Sequence, residues 1–308
     1  MKKYILGIDT SNYKTSVAVT DLEGNIIVND SKLLEVKKGE KGLRQSEAFF
    51  YHSNDLPGMM EKIMKNEEIR ANIIAVAVSD KPRPVSGSYM PVFRVGENAA
   101  VISSAALGVP LFRFSHQEGH IKAVSNYLKL SNPGRYIAYH LSGGTSEALL
   151  IKDQDMEIVG GSRDISLGQL IDRIGVRLGF DFPSGKSMDE IAVRDKIVLN
   201  PTGVKITDGY FNLSGLEAQC LRSLDTNLGK AIVPGLFKTL GDLMVNLTDY
   251  LSVKYRVDDF VFTGGVSSSE FLRKYVDFKS SKNIYFGDPA LSSDNAVGIA
   301  LLGGEKYA

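Results

Sequence analysis

Residues 136–153, "YIAYHLSGGTSEALLIKD", are an apolar run, a short Ser/Gly/Thr turn and a second apolar run. Each run has the length of a strand, so the stretch predicts a strand pair closed by a tight polar turn. The chain opens on the same plan. "YILGID" (4–9) and "TSVAVTD" (15–21) flank a polar turn, and "DLEGN" (21–25) turns the chain into "IIVND" (26–30) to give a meander. The stretch at 136 therefore restarts the pattern of the N-terminus.

Outward from these hairpins, strand-type runs alternate with helix-length periodic segments, the pattern of an α/β protein. In the first half, Ser46 to about Lys65 predicts a helix broken at Asn54 to Gly58. "NIIAVAVSD" (72–80) predicts a buried strand, "VGENAAVISSAALG" (95–108) a small-residue helix ending at Gly108, and "FSHQEGHIKAV" (114–124) the start of another helix. In the second half, helices are expected near 168–179, 186–194, 214–226 and 232–255. They are followed by a strand in "FVFTGG" (260–265), a helix opening at "SSSEFLRKY" (267–275), a strand "KNIYF" (282–286) and a last helix from near Ser293. The reading is a duplicated α/β fold of two lobes, 1–132 and 133–308, with a cleft between them.

The bulk composition limits the function. With 308 residues, 43% of them hydrophobic, the chain can bury a large core. Lys plus Arg and Asp plus Glu both number 36, so no overall field draws nucleic acid or an anionic membrane. The first apolar run is short and interrupted by Gly7 and Asp9, which argues for a strand over a signal peptide. No run approaches the roughly 18 apolar residues of a membrane span. The single cysteine, Cys220, excludes an internal disulfide and fits a reducing, cytoplasmic setting.

Three turns look suited to phosphate: "GIDTSNYKTS" (7–16), "LSGGTSE" (141–147) and "FTGGVSSSE" (262–270). Each follows an apolar strand and offers backbone N–H groups and hydroxyls to an anion, and the third also opens a helix N-terminus. Placed after corresponding strands of two halves, they describe the nucleotide cleft of the actin, Hsp70 and sugar-kinase (ASKHA) superfamily. "GFDFPSGKS" (179–187) only imitates a P-loop: five residues separate Gly179 from Gly185 where the motif has four, and a helix precedes it. Pro183, Ser184 and Gly185 read better as a turn bordering the nucleotide.

Two of the four histidines, His116 and His120, stand four apart. On a helix they share one face about 5–6 Å apart, which suits one metal ion, iron or zinc better than magnesium. The zinc-protease reading fails because Glu118 lies two positions after His116, rotated by about 200° on a helix. His140 ends a strand beside the second turn, and Asp294 in "SSDNAVGIA" sits where a helix begins, a capping position in its own right.

"SHQEGH", "HLSGGTSE", "LGQLIDRIGVRLGFDFPSG", "FNLSGLEA", "FTGGVSSSEFLR" and "SSDNAVGIA" occur in the order and rough spacing of the TsaD family, formerly called O-sialoglycoprotein endopeptidase. The chain resembles that family from residue 5 to about 303. The resemblance implies an actin-like fold, one divalent metal ion (iron or zinc) and an adenine nucleotide (ATP or threonylcarbamoyl-AMP). It implies transfer of threonylcarbamoyl from threonylcarbamoyl-AMP to N6 of adenosine 37 in tRNA. It makes His116, His120 and Asp294 metal ligands with His140 as a fourth, and places Asp172 on the ribose with Gly185 beside it. Ser142, Gly143 and Gly144 then lie near the acyl phosphate, and Gly264, Gly265 and Ser269 line the third nucleotide turn. Partners of the TsaB and TsaE kind, a homodimer or a heterodimer are implied too. With no net charge, tRNA must be gripped by those partners or by a small patch such as Lys37, Lys38, Lys41 and Arg44.

The departures from the family are specific. Asn12, Tyr13 and Lys14 stand where the family has a cysteine and two acidic residues. Thr145, Ser146 and Glu147 follow the second turn in place of His or Asn, Thr and Gln, and Ser269 replaces an asparagine held against the adenine. Glu47 and His52 are kept, while the arginine just before the histidine is not. Lys14 would pair with a carboxylate on a small acceptor, so a paralogue that carbamoylates a small hydroxylated metabolite is the alternative enzyme. A catalytically silent, TsaB-like scaffold is the alternative outside enzymes, and the histidine pair argues against it.

Overall fold

The computed structural model describes residues 2–11, 13–35, 43–153, 155–197, 199–224, 229–288, 291 and 296–308. The chain divides into two units, Met1–Tyr127 with Ser293–Ala308, and Leu128–Ser292.

In the first unit, β1 (Tyr4–Thr10), β2 (Lys14–Asp21) and β3 (Ile26–Leu33) form the expected meander. β4 (Ile73–Lys81) and β5 (Leu111–Ser115) join it in the order β3-β2-β1-β4-β5. β1 and β2, and β2 and β3, are antiparallel; β1, β4 and β5 are parallel. Every residue of β1 is buried, which is why it reads as a continuous apolar run. Tyr4, Leu6 and Ile8 pack with Leu56, Met59 and Ile63 of helix α1 (Gln45–Lys65) and Ala100 of α3 (Phe93–Leu107), while the short α2 (Glu67–Asn72) leads into β4. The break expected at Asn54–Gly58 does not occur. The buried stripe Ala48, His52, Leu56, Met59 and Ile63 runs across Pro57. Burying each Leu, Ile or Met contributes about 1.5–3 kcal/mol, which together outweighs roughly 3 kcal/mol for an interior proline.

The opposite face of this sheet is covered by a helix from the far end of the sequence. Ile5, Ala75 and Ala77 cluster with Ile299 and Ala300 of α10 (Val297–Tyr307). The contact is backbone-close: a Cβ on Gly7 would lie 2.6 Å from the Ala296 carbonyl oxygen, and one on Gly298 would lie 1.8 Å from that of Gly119 in α4 (His116–Ser125). The division expected at 132/133 thus needs correction at its end, because the small residues of α10 fit the first sheet and return the C-terminus to the first unit. Ala296 occupies the N-cap of α10; Asp294, expected to cap this helix, lies outside the described residues.

The second unit repeats the first sheet. β6 (Arg135–Leu141), β7 (Ser146–Lys152) and β8 (Asp155–Ser162) form an antiparallel meander, and β10 (Asp259–Thr263) and β11 (Asn283–Phe286) extend it in parallel past β6. The order β11-β10-β6-β7-β8 mirrors β5-β4-β1-β2-β3, with a two-residue β9 (Tyr210–Phe211) added beyond β8. The expected duplication is therefore present strand for strand. Between β8 and β10 run α5 (Leu167–Arg177), α6 (Gly185–Arg194), α7 (Ser214–Leu224) and α8 (Val233–Tyr255), near the positions expected. α9 (Glu270–Lys279) links β10 to β11. Leu236, Phe237, Leu240, Leu247 and Leu251 of α8 form the centre of this unit's core against Tyr139, Phe260 and Phe262. Among the described residues no helix is long and apolar enough to cross a membrane.

Candidate functional site

Ser115 decides where the paired histidines stand. Its side chain accepts the Glu118 N–H at 3.2 Å and the Glu118 carboxylate accepts the Ser115 N–H at 2.6 Å, so a capping box starts α4 at His116. Glu118 is thereby used structurally, in line with its rejection as a base. One turn later comes His120, 4% exposed, and the His116 and His120 ring centroids are 4.4 Å apart. His116 Nδ1 lies 2.9 Å from Oδ1 of Asp9, at the end of β1, and the same oxygen accepts the hydroxyl of Ser79 on β4.

Asp9 is fully buried, and its Oδ2 has no hydrogen-bond partner among the described residues. Two imidazoles one helical turn apart, the first of them held by a buried carboxylate, are a donor pair of the kind that suits a divalent ion. Asp294, the expected third ligand, lies outside the described residues, and among those described no three His, Cys, Asp or Glu side chains group as a metal site. Nearby in the first unit, Thr15 Oγ1 and His52 Nδ1 are 2.8 Å apart, and burial pushes the His52 imidazole below its ordinary pKa, keeping it neutral. Of the departures in the first turn, Lys14 begins β2 and pairs with Leu33; Asn12, like Lys37, Lys38 and Lys41, lies outside the described residues.

In the second unit the two glycine turns meet. Gly264 has φ +87°, and a Cβ there would lie 2.4 Å from the Leu141 carbonyl oxygen, so the turn after β10 rests directly on the end of β6. His140, one residue before, is buried on β6 between Glu147 of β7 and Thr263 of β10. The Ser142 hydroxyl accepts the Gly144 and Thr145 N–H groups at 3.3 and 3.0 Å. The Ser166 hydroxyl, the N-cap of α5, donates to the Gly143 carbonyl at 2.8 Å, and Ser146 Oγ accepts the Leu167 N–H at 2.8 Å. α5 thus clamps the turn from below, with Gly168 so close that a Cβ would lie 2.5 Å from the Ser142 oxygen. By contrast, among the described residues nothing lies within 4 Å of a Cβ placed on Gly143, Gly144, Gly185 or Gly265. Those four present open backbone.

Asp172, the expected ribose ligand, points across to α6. Its Oδ1 accepts the Ser184 N–H at 2.7 Å, burial raises its pKa, and the Ser184 and Gly185 N–H groups oppose that rise. A carboxylate has about four lone-pair sites, so acceptor capacity remains for a hydroxyl. Ser269 caps α9 by accepting the Leu272 N–H at 3.1 Å and donates its hydroxyl to Asp189 Oδ1 at 2.5 Å. Asp189 also accepts the Glu270 and Phe271 N–H groups at 2.7 and 3.1 Å. The N-terminus of α9, expected to favour a phosphate, therefore already holds a carboxylate from α6.

Sequence reasoning missed Asp9, Ser79, Asp189 and Asp164. Asp164 accepts the Ile165, Leu213 and Ser214 N–H groups at 2.7, 2.8 and 2.9 Å; burial works to raise its pKa, but these donors hold it far below the usual carboxylate range. The only available signal was an acid at the end of a buried strand, for Asp9, or in a polar turn, for Asp164.

The chain matches the family TsaD, described as tRNA N6-adenosine threonylcarbamoyltransferase, over residues 26–301. It is 30% identical to the tRNA N6-adenosine threonylcarbamoyltransferase of Thermosipho africanus over 321 residues, spanning 98% of this chain and 94% of that one. The protein of that name from Methanopyrus kandleri is 27% identical over 309 residues, 97% and 86% of the two chains. Among solved structures, HypF of T. kodakarensis superimposes with a TM-score of 0.67 at 14% identity, over 99% of this chain and 48% of that one. A ROK family glucokinase from Streptomyces griseus gives 0.54 at 11% identity, over 99% and 100%. These likenesses show the actin-like fold.

Proposed function

We propose, from the premise that the chain belongs to the TsaD family of tRNA N6-adenosine threonylcarbamoyltransferases, that it transfers threonylcarbamoyl from threonylcarbamoyl-AMP to N6 of adenosine 37 in tRNA. The observation that carries this reading is the histidine pair of α4, with ring centroids 4.4 Å apart and His116 held by Asp9. His116 and His120 would hold one divalent ion, iron or zinc, with Asp294 as the third ligand by family resemblance. When bound, such an ion supplies Lewis-acid polarisation of an acyl or phosphate oxygen.

The chemistry asks little else of the protein. The adenosine N6 attacks the carbamoyl carbon, a C–N bond forms, the bond to the phosphate oxygen breaks, AMP leaves with the electron pair, and N6 gives up a proton to water. The open backbone at Gly143, Gly144 and Gly265 offers N–H groups to the departing phosphate, and the spare lone pairs of Asp172 accept ribose hydroxyls, with Gly185 beside them. Asp172→Ala should accordingly weaken AMP binding, read by calorimetry. Equal numbers of acidic and basic residues leave tRNA binding to partners of the TsaB and TsaE kind.

The test supplies the purified chain with threonylcarbamoyl-AMP, TsaB, TsaE and unmodified tRNA, and looks for modified adenosine by mass spectrometry. Product is expected, and His116→Ala should remove it. A second reading is favoured by Tyr13 and Lys14, which replace two acids of the family and would suit a small acceptor bearing a carboxylate. Absence of product with partners of proven activity, unrelieved by combining Lys14→Glu with Tyr13→Asp, would replace the tRNA acceptor with such a metabolite.

A further inference from the structure

We propose that Asp9, held by Ser79, is a positioning residue that fixes the tautomer of His116 and so aims its Nε2 lone pair. The proposal rests on the reading of His116 and His120 as metal ligands, but its geometry is independent of any bound group. Oδ1 of Asp9 lies 2.9 Å from His116 Nδ1, a hydrogen-bond distance. An ionised carboxylate only accepts, so the imidazole proton sits on Nδ1 and the lone pair on Nε2. Without such an acceptor, neutral imidazole in water favours the opposite tautomer, with its proton on Nε2, where it would block ligation.

The support behind Asp9 is rigid. β1 and β4 are parallel neighbours with Ile8 opposite Val78, which places Asp9 beside Ser79. Both residues are fully buried, and the Ser79 hydroxyl donates to the same Oδ1 that faces His116. A carboxylate fixed by the sheet therefore orients a histidine on a helix. Outer contacts of this kind hold metal-binding histidines in register, and their removal typically weakens metal affinity by roughly 10- to 100-fold.

The experiment has two arms on the full chain. In the zinc-free protein, long-range proton–nitrogen NMR should show the His116 ring proton on Nδ1 and none on Nε2. Any other protonation pattern overturns the proposal, and this arm needs no variant to fold. In Asp9→Ala the proton should move to Nε2, and zinc affinity, measured by competition with a chromophoric chelator, should fall by roughly 10- to 100-fold. Parent-like zinc affinity in a folded Asp9→Ala protein also overturns it. If the parent binds no zinc at all, it is the metal reading that fails, and the tautomer arm still decides the role of Asp9.

Discussion

The dipeptide Gly264–Gly265 separates a glycine the fold needs from one that the proposed nucleotide site needs. Gly264 has φ +87° and ψ 164°, a region open essentially to glycine, and a side chain forced there costs about 1–3 kcal/mol. The added Cβ would also lie 2.4 Å from the Leu141 carbonyl oxygen, a backbone atom that cannot retreat without disturbing the pairing of β6 with β10. Overpacking of that kind adds about 1–3 kcal/mol. Gly264→Ala should therefore destabilise the protein by about 2–6 kcal/mol, and at roughly 2–4 °C per kcal/mol the melting temperature should fall by about 4–24 °C. Gly265→Ala meets nothing within 4 Å among the described residues, so its stability should stay within about 0.5 kcal/mol of the parent. On the proposed function its methyl group would instead occupy nucleotide space and weaken AMP binding. Urea unfolding followed by far-UV circular dichroism, with calorimetry for AMP, measures both variants. A Gly264→Ala midpoint equal to the parent's, or a Gly265→Ala protein destabilised as much, would refute the argument from backbone geometry.

Asp164→Asn should lose about 1 kcal/mol at neutral pH, since an amide cannot accept from all three N–H donors and water competes at this exposed site. The folded pKa is depressed, so the stabilisation is present above the unfolded value near 3.8 and is lost as pH falls below it; the gap between parent and variant in urea midpoint should narrow below about pH 4. A gap that stays constant to pH 3 would exclude this linkage. Gly298→Ala, which would put a Cβ 1.8 Å from the Gly119 oxygen, should push α10 and α4 apart. Both the melting temperature and zinc affinity should drop, since the displaced helix carries both histidines, and an unchanged melting temperature would sink that account.

Local order was legible wherever one residue's chemistry is enough to dictate it. The alternation of apolar runs and polar turns disclosed both hairpins and their repetition, and the observed sheets repeat strand for strand. The spacing of His116 and His120 placed two imidazoles on one helical face, because i and i+4 meet on any helix, and the structure finds their rings 4.4 Å apart. The continuity of α1 through Pro57 was not legible, since the burial that overrides the proline comes from a sheet that the helix sequence does not contain. Neither was the seat of α10 on the first sheet and on α4, which depends on backbone approaches of Gly7 to Ala296 and of Gly298 to Gly119, between segments far apart in the chain. Asp9, Asp172 and Asp189 make the same point at the candidate site: a carboxylate in a sequence is only an acid until the fold supplies its donors. Those donors lie 107 residues from Asp9, 12 from Asp172 and 80 from Asp189, distances over which hydrogen bonding is set by packing and not by chain neighbours.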